Sequence, residues 1–448
     1  MTPTSLKIDA GLWAMCAAAM AFAAILVAPA VLSGGDLYWH ITAGRWMIEN
    51  QAVLRIDMFS YTFAGQPWET RDWLAELLLA LSYVGAGWSG VVALCAAAVA
   101  GAAGLLAFHL RRRHSDGFTL VWLGLAIVAG AGAVRALPYL LALPWMIVWT
   151  AGLAGTRDGR PPMRLLPVML VWANLSASFV IGLALVAVLA AEAVATAKDS
   201  RLEVLRAWMV FAGCSLVLGL ITPTGIGGLA HAIRALTVIG PVETVWPLVV
   251  ALPVASVLLP QRKMLLRAVF LASLFVLALT SISGRLFFAA AAPLLVFGPA
   301  KGEEPLPFRL RPLAALVVLI VAATGLRLFV PVVRHDDATT PGAALAQVPA
   351  TLRRQAVLNE TGFGGFLIFH DVKPFIDSRP LYTSSFRARA AALADPGLLT
   401  ATLRRYHIRW TILSPANPAA AAMDGIAGWH RLYKDQWAVV HVKNDVHS

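Results

Sequence analysis

Charge is what this 448-residue sequence has least of: Asp, Glu, Lys and Arg make up 13% of it, against 59% hydrophobic residues. With a mean hydropathy of +0.73, the chain cannot be an ordinary water-soluble domain, which needs far more charge to keep its surface wet. Cysteine is scarce too. Cys16, Cys95 and Cys214 all fall inside apolar stretches, a pattern that suggests neither a disulfide framework nor a metal cluster. A Gly-rich phosphate loop, a Walker motif and a zinc signature are all missing, which argues against a cytoplasmic nucleotide-driven machine. No small-residue cleavage site stands out after the first apolar run at 11–33, so that run reads as a retained helix and not a removed signal peptide.

What the sequence does have is a series of apolar runs near bilayer length, recurring from residue 11 to residue 332. They predict an α-helical polytopic membrane protein with about eleven transmembrane helices. The expected spans are 11–33, 88–110, 118–134, 138–155, 165–180, 181–197, 207–222, 246–260, 265–282, 285–299 and 312–332. Several are short, as tilted or broken helices inside a bundle are. The net charge of +12 reports topology and not nucleic-acid binding. Its clusters sit in short loops: Arg111 to Arg113, Arg157/Arg160/Arg164, Lys198/Arg201/Arg206, Arg262/Lys263/Arg267 and Lys301/Arg309/Arg311. With a cytoplasmic N-terminus, every cluster lands on the cytoplasmic side, the positive-inside pattern.

That topology places two regions outside the cytoplasm, a loop at 34–87 and a tail from about 334. The expected division is therefore a membrane domain over 1–333, first loop included, and an extracytoplasmic α/β domain over 334–448. The loop is too long and too patterned to be a connector. Residues 36–50 and 72–84 read as amphipathic helices rich in Tyr38, Trp39, Trp46 and Trp73, suited to lying at headgroup level. In the tail the pattern predicts a helix at 341–354, a strand at 355–359 and a helix at 364–370. Strands at 373–377 and 409–414 and a hairpin at 431–443 complete the α/β alternation.

Ionisable groups near membrane depth are expensive, so those that occur are candidate site residues. Asp36 and His40 are four apart, which puts a carboxylate and an imidazole on one helical face; the bland alternative for Asp36 is a helix N-cap. Asp57 suits a turn, Asp72 a helix cap, and Glu76 lies one turn into the second loop helix. Together these carboxylates make a general-base or cation site plausible on one short loop. Arg135, Asn174, Glu243 and Arg285 fall near the outer ends of spans, where interfacial anchoring is the simpler role. Two arginines beside carboxylates suit an anionic, phosphate-bearing substrate.

An ordered set of short motifs runs along nearly the whole chain. The loop carries Asp36-Leu37-Tyr38-Trp39-His40, Gly44-Arg45-Trp46, Asp57-Met58-Phe59-Ser60, Gly65-Gln66-Pro67-Trp68 and Trp73-Leu74-Ala75-Glu76. The bundle adds Trp172-Ala173-Asn174-Leu175, Pro223-Thr224-Gly225, Glu243-Thr244-Val245-Trp246-Pro247 and the stretch from Arg285 to Pro293. The tail has Asn359-Glu360, Gly364-Gly365-Phe366-Leu367-Ile368 and Phe375-Ile376-Asp377-Ser378-Arg379. In this set the chain resembles a large, mostly uncharacterised group of bacterial membrane proteins in the GT-C-type glycosyltransferase superfamily. The resemblance implies sugar transfer from a polyprenyl-phosphate donor to an acceptor at the outer face of the bacterial inner membrane. It also implies that an acidic residue just after the first span acts in catalysis, by position Asp36. Gly35, Ser176-Ala177 and Thr361-Gly362 depart from the group's usual residues, and Gly35 removes a potential metal ligand, so dependence on a divalent cation stays open.

The expected enzyme is inverting, with Asp36 as base or orienting group, His40 beside it, and Asp57 and Glu76 as supporting carboxylates. Arg135 and Arg285 would hold the donor phosphate. Asn174, Glu243, Asn359, Asp377 and Arg379 are further candidates for contact with substrate. A lipid phosphate is already a good leaving group, so one carboxylate suffices for inversion. The rival is a non-enzymatic protein, a transporter of lipid-linked glycans or an assembly partner of an export complex. Transport predicts cavity charges facing both sides, whereas the ionisable residues here cluster at the outer one.

Overall fold

The computed structural model of the chain describes residues 9–27, 29–68, 70–130, 132–156, 159–197, 201–237, 251, 254, 265–296, 310–379 and 395–444. It divides into two compact units. The first comprises Met1–Val31, Arg71–Ala75 and Gly85–Pro331; the second comprises Leu32–Thr70, Glu76–Val84 and Val332–Ser448. The expected boundary at 333 therefore moves for the first loop, most of which belongs to the same unit as the tail.

The first unit is helical. Its elements are α1 (Ala10–Val27), the distal part of α3 (Trp73–Arg111), α4 (Asp116–Gly130), α5 (Pro138–Ala154) and α6 (Leu166–Leu175). Then follow α7 (Phe179–Thr196), α8 (Arg201–Leu220), α9 (Gly225–Thr237), α10 (Leu265–Thr280), α11 (Ile282–Val296) and α12 (Leu310–Phe329). Among the described residues, four helices are long and apolar enough to cross a membrane: α1, α3, α7 and α8. Five shorter apolar helices accompany them, and the chain is a mostly helical, membrane-embedded protein with a small C-terminal sheet. α5 and α6 each take a proline in the first turn, where the missing N–H has no intrahelical partner to lose.

Two readings change in this unit, and a third lies outside the described residues. The span expected at 165–180 ends at Leu175, and Ser176, in extended conformation, terminates it before α7 begins. α9 was not expected at all; it starts at Gly225, whose φ of 51° glycine adopts without strain. The span at 246–260 falls almost wholly outside the described residues. α3 is a composite, as the separate readings at 72–84 and 88–110 require: Ala86 and Gly87 have non-helical dihedrals.

The second unit contains α2 (Asp36–Asn50), the proximal part of α3, and a four-stranded sheet. The strands are β1 (Val357–Asn359), β2 (Trp410–Leu413), β3 (Trp429–Lys434) and β4 (Val439–Lys443), in the order β1-β2-β4-β3. β1 and β2 are parallel, and the other pairings are antiparallel. Short helices surround it: α13 (Gly342–Gln347), α14 (Ala350–Arg353), α15 (Gly364–Phe369), α16 (Pro396–Arg405) and α17 (Pro418–Met423). Leu358, Phe375, Leu399, Ile408, Leu413, Met423 and Val439 close one core.

One further expectation is corrected here, and α2 gains a partner. It packs one face into this unit: Leu37, Tyr38, His40, Ile41, Ala43, Gly44 and Met47 are buried. Tyr38 packs edge-on against Phe366 and Phe369 of α15, with centroids 5.3 and 5.1 Å apart. A Cβ at Gly44 would strike the Glu76 carbonyl, so only glycine lets these two helices approach so closely. The strand expected at 373–377 is absent. Instead of a ladder, the side chain of Asn359 holds that segment, accepting from Phe375 N–H at 2.8 Å and donating to the Ile376 carbonyl at 2.7 Å.

Candidate active site

Asp36 lies at the start of α2, where the chain turns through Gly34 at φ 103°. Gly35 holds the N-cap position and no side chain caps the helix. Asp36 is therefore the first helical residue, which corrects the capping alternative. The half-buried carboxylate sits at the positive end of the helix dipole. It accepts a hydrogen bond from the Ser378 hydroxyl. A Cβ at position 35 would run into the Gly362 carbonyl, so glycine at 35 lets the two backbones meet.

Ser378 is fixed by its neighbours in the chain. The buried Arg379 donates to Asp377 through Nε at 2.7 Å and Nη2 at 2.5 Å, and to Asp57 Oδ2 through Nη2 at 2.8 Å. The guanidinium lies 4.1 Å from the Trp68 ring centroid, a cation–π geometry. Burial pulls the arginine pKa down, but the adjacent carboxylates of Asp377 and Asp57 outweigh it, and the net displacement is upward. Asp57 also fills the turn role expected of it. Its Oδ1 accepts from Phe59 N–H at 2.8 Å and Ser60 N–H at 3.0 Å, and its Oδ2 from the Ser60 hydroxyl at 2.8 Å.

The remaining loop candidates pair with each other. His40 Nδ1 lies 3.2 Å from Glu76 Oε1, both side chains buried. His40 shares a helix with Asp36 yet serves a different partner. Asn359 is buried, its amide divided between the Glu360 and Ile376 carbonyls and its oxygen holding Phe375 N–H. A carboxylate cage for a divalent cation does not fit this donor set. Asp57 and Asp377 both face Arg379, Glu76 faces His40, and no group of three or more His, Cys, Asp or Glu able to hold a metal occurs among the described residues.

In the first unit, Asn174 is also committed. It accepts from Trp73 Nε1–H at 2.6 Å and donates to the Leu170 and Ile221 carbonyls at 2.8 and 2.9 Å. With Trp73, Leu170, Ile221 and Pro223 it lines a mainly apolar cleft. Asp72 holds the expected N-cap position of α3 but makes no side-chain capping bond there; its carboxylate takes Ala177 N–H at 3.0 Å. Next to Arg285, Leu286 would lie 2.9 Å from a Cβ at Gly130, the last residue of α4, and next to Arg135, Ala136 N–H bonds the Val31 carbonyl at 2.7 Å. Both arginines are half-buried. Glu243 lies outside the described residues. No protein-family model matches the chain, and no curated protein is detectably similar to it.

Two contributors escaped the sequence reading: Ser378 and Trp68 stood only in quoted motifs, and neither was expected to support Asp36 or Arg379. The polar triplet Asp377-Ser378-Arg379 after an apolar segment was the one local sign of Ser378.

Proposed function

We propose that the chain is an inverting membrane glycosyltransferase of the GT-C type, using a polyprenyl-phosphate-linked sugar at the outer face of a bacterial inner membrane. In this reading the N-terminus is cytoplasmic, the apolar segments make about eleven spans, and the loop and tail are extracytoplasmic. The basic clusters between apolar segments support that orientation.

One observation carries the catalytic assignment. Asp57 and Asp377 are matched to Arg379 and Glu76 to His40, whereas Asp36 pairs with no cation among the described residues and is held only by a hydroxyl. A carboxylate left in this state is the one able to accept a proton. The acceptor hydroxyl attacks the anomeric carbon, Asp36 takes its proton, and the sugar–phosphate bond breaks with its electron pair leaving on the lipid phosphate.

The purified protein, incubated with a panel of polyprenyl-phosphate sugars and candidate glycan acceptors, is expected to release lipid phosphate. The Asp36→Asn protein, equally folded, is expected not to. Intact movement of the lipid-linked sugar across a vesicle membrane without bond cleavage would instead establish the transporter.

A further inference from the structure

We infer that Ser378 is a positioning residue that sets the direction of the Asp36 carboxylate, resting on the proposed role of Asp36 as base. The two residues are 342 positions apart, and the Ser378 hydroxyl reaches Asp36 Oδ1. A hydroxyl bonded to one carboxylate oxygen restrains rotation about the Cβ–Cγ bond and leaves the second oxygen free for the acceptor proton.

The serine is built into place. Arg379 is 7% exposed and is gripped by Asp377 from its own turn and by Asp57 from the loop, with Trp68 beneath it. Asp377 also accepts Arg379 N–H at 2.9 Å, closing a tight turn with Ser378 between the two charged residues. On the other side, the backbone of Asp377 abuts Gly364 so closely that a Cβ there would collide with it. Ser378 is thus the one residue of the triplet whose side chain serves neither the ion pair nor the core. Its hydroxyl is presented to Asp36 by groups that do nothing else for the carboxylate.

The test reads Asp36 directly. In pH-difference infrared spectra of the full-length protein, the carboxyl band that disappears in Asp36→Asn reports its titration. Ser378→Ala removes a hydrogen bond to the charged form, so the midpoint of that band is expected to rise by about half to one pH unit. Ser378→Thr, which keeps the hydroxyl, is expected to return the midpoint to the wild-type position. With a turned-over lipid-linked sugar, the acid limb of kcat/KM is expected to move in the same direction. An Asp36 midpoint unchanged in Ser378→Ala overturns the inference, whatever its rate. Full transfer by Asp36→Asn instead overturns the base assignment, an outcome the band position does not depend on.

Discussion

The two units handle buried charge in opposite ways. In the helical unit Glu192 and Arg267 close on each other with two bonds, at 2.7 and 2.8 Å, and the arginine spends a third donor on the Leu295 carbonyl. One anion meets one cation, as an apolar setting demands, since an unmatched charge there is costly. In the second unit one arginine serves two carboxylates, and a third carboxylate, Asp36, receives a hydroxyl only. The first arrangement is closed; the second leaves one acid available. That difference separates a packing device from a candidate for chemistry.

The largest expected effect sharpens this contrast. Asp36→Asn is expected to lower glycosyl transfer by about a hundredfold to ten-thousandfold, with an unchanged thermal unfolding midpoint, because no cap or ion pair is lost. Glu192→Gln is expected to do the reverse, leaving turnover of the folded fraction intact while lowering the midpoint. Equal activity losses from both would erase the distinction. Next in size is Arg379→Met, which strands Asp57 and Asp377 together in a buried site. Leaving an uncompensated buried charge costs about 3–5 kcal/mol, and the loss is expected in urea or thermal melts followed by tryptophan fluorescence, since Trp68 loses its cation. Arg267→Met strands a single carboxylate and is expected to cost less.

Gly44→Ala probes the junction of α2 with the proximal part of α3. Its Cβ would meet the Glu76 backbone, so overpacking of about 1–3 kcal/mol is expected, read as a lower melting temperature of the purified protein. The smallest effect concerns pH. His441 and His370 both lie in the second unit. Burial, in each case the leading cause, holds their pKa values below that of free histidine. A histidine kept neutral in the folded state and protonated in the unfolded one withdraws stability as pH falls below about 6.5. The melting temperature is therefore expected to decline on acidification from pH 7 to 5, and less steeply in His441→Gln. A slope unchanged by that substitution would remove His441 from the account.

Legibility from sequence followed how local each signal is. The helix at 36–50 and the two-part helix starting at Trp73 were readable, because apolar periodicity and aromatic placement are short-range. Their surroundings were not, and α2 proved to be enclosed by tail residues such as Phe366 that lie more than three hundred positions away. The expected strand at 373–377 failed for a related reason. Its apolar residues suit a strand, but Asn359 satisfies the Phe375 and Ile376 backbone groups from the side, which removes the need for a ladder. Asp57 was half-legible: the Asx-type turn is local, while its partnership with Arg379 spans 322 positions.

By itself the sequence determined the apolar helices, the distribution of basic residues between them and the return of polarity in the tail. Each depends on the composition of a contiguous stretch, which hydrophobic burial reads without reference to the rest of the chain. Only the tertiary structure decided which acid faces a cation and which is left open. Asp36, Asp57 and Glu76 are the same kind of group on one short segment, and nothing in their spacing ranks them. The ranking comes from Arg379, His40 and Ser378, because the electrostatic state of a carboxylate is set by what lies within a few ångströms of it in space.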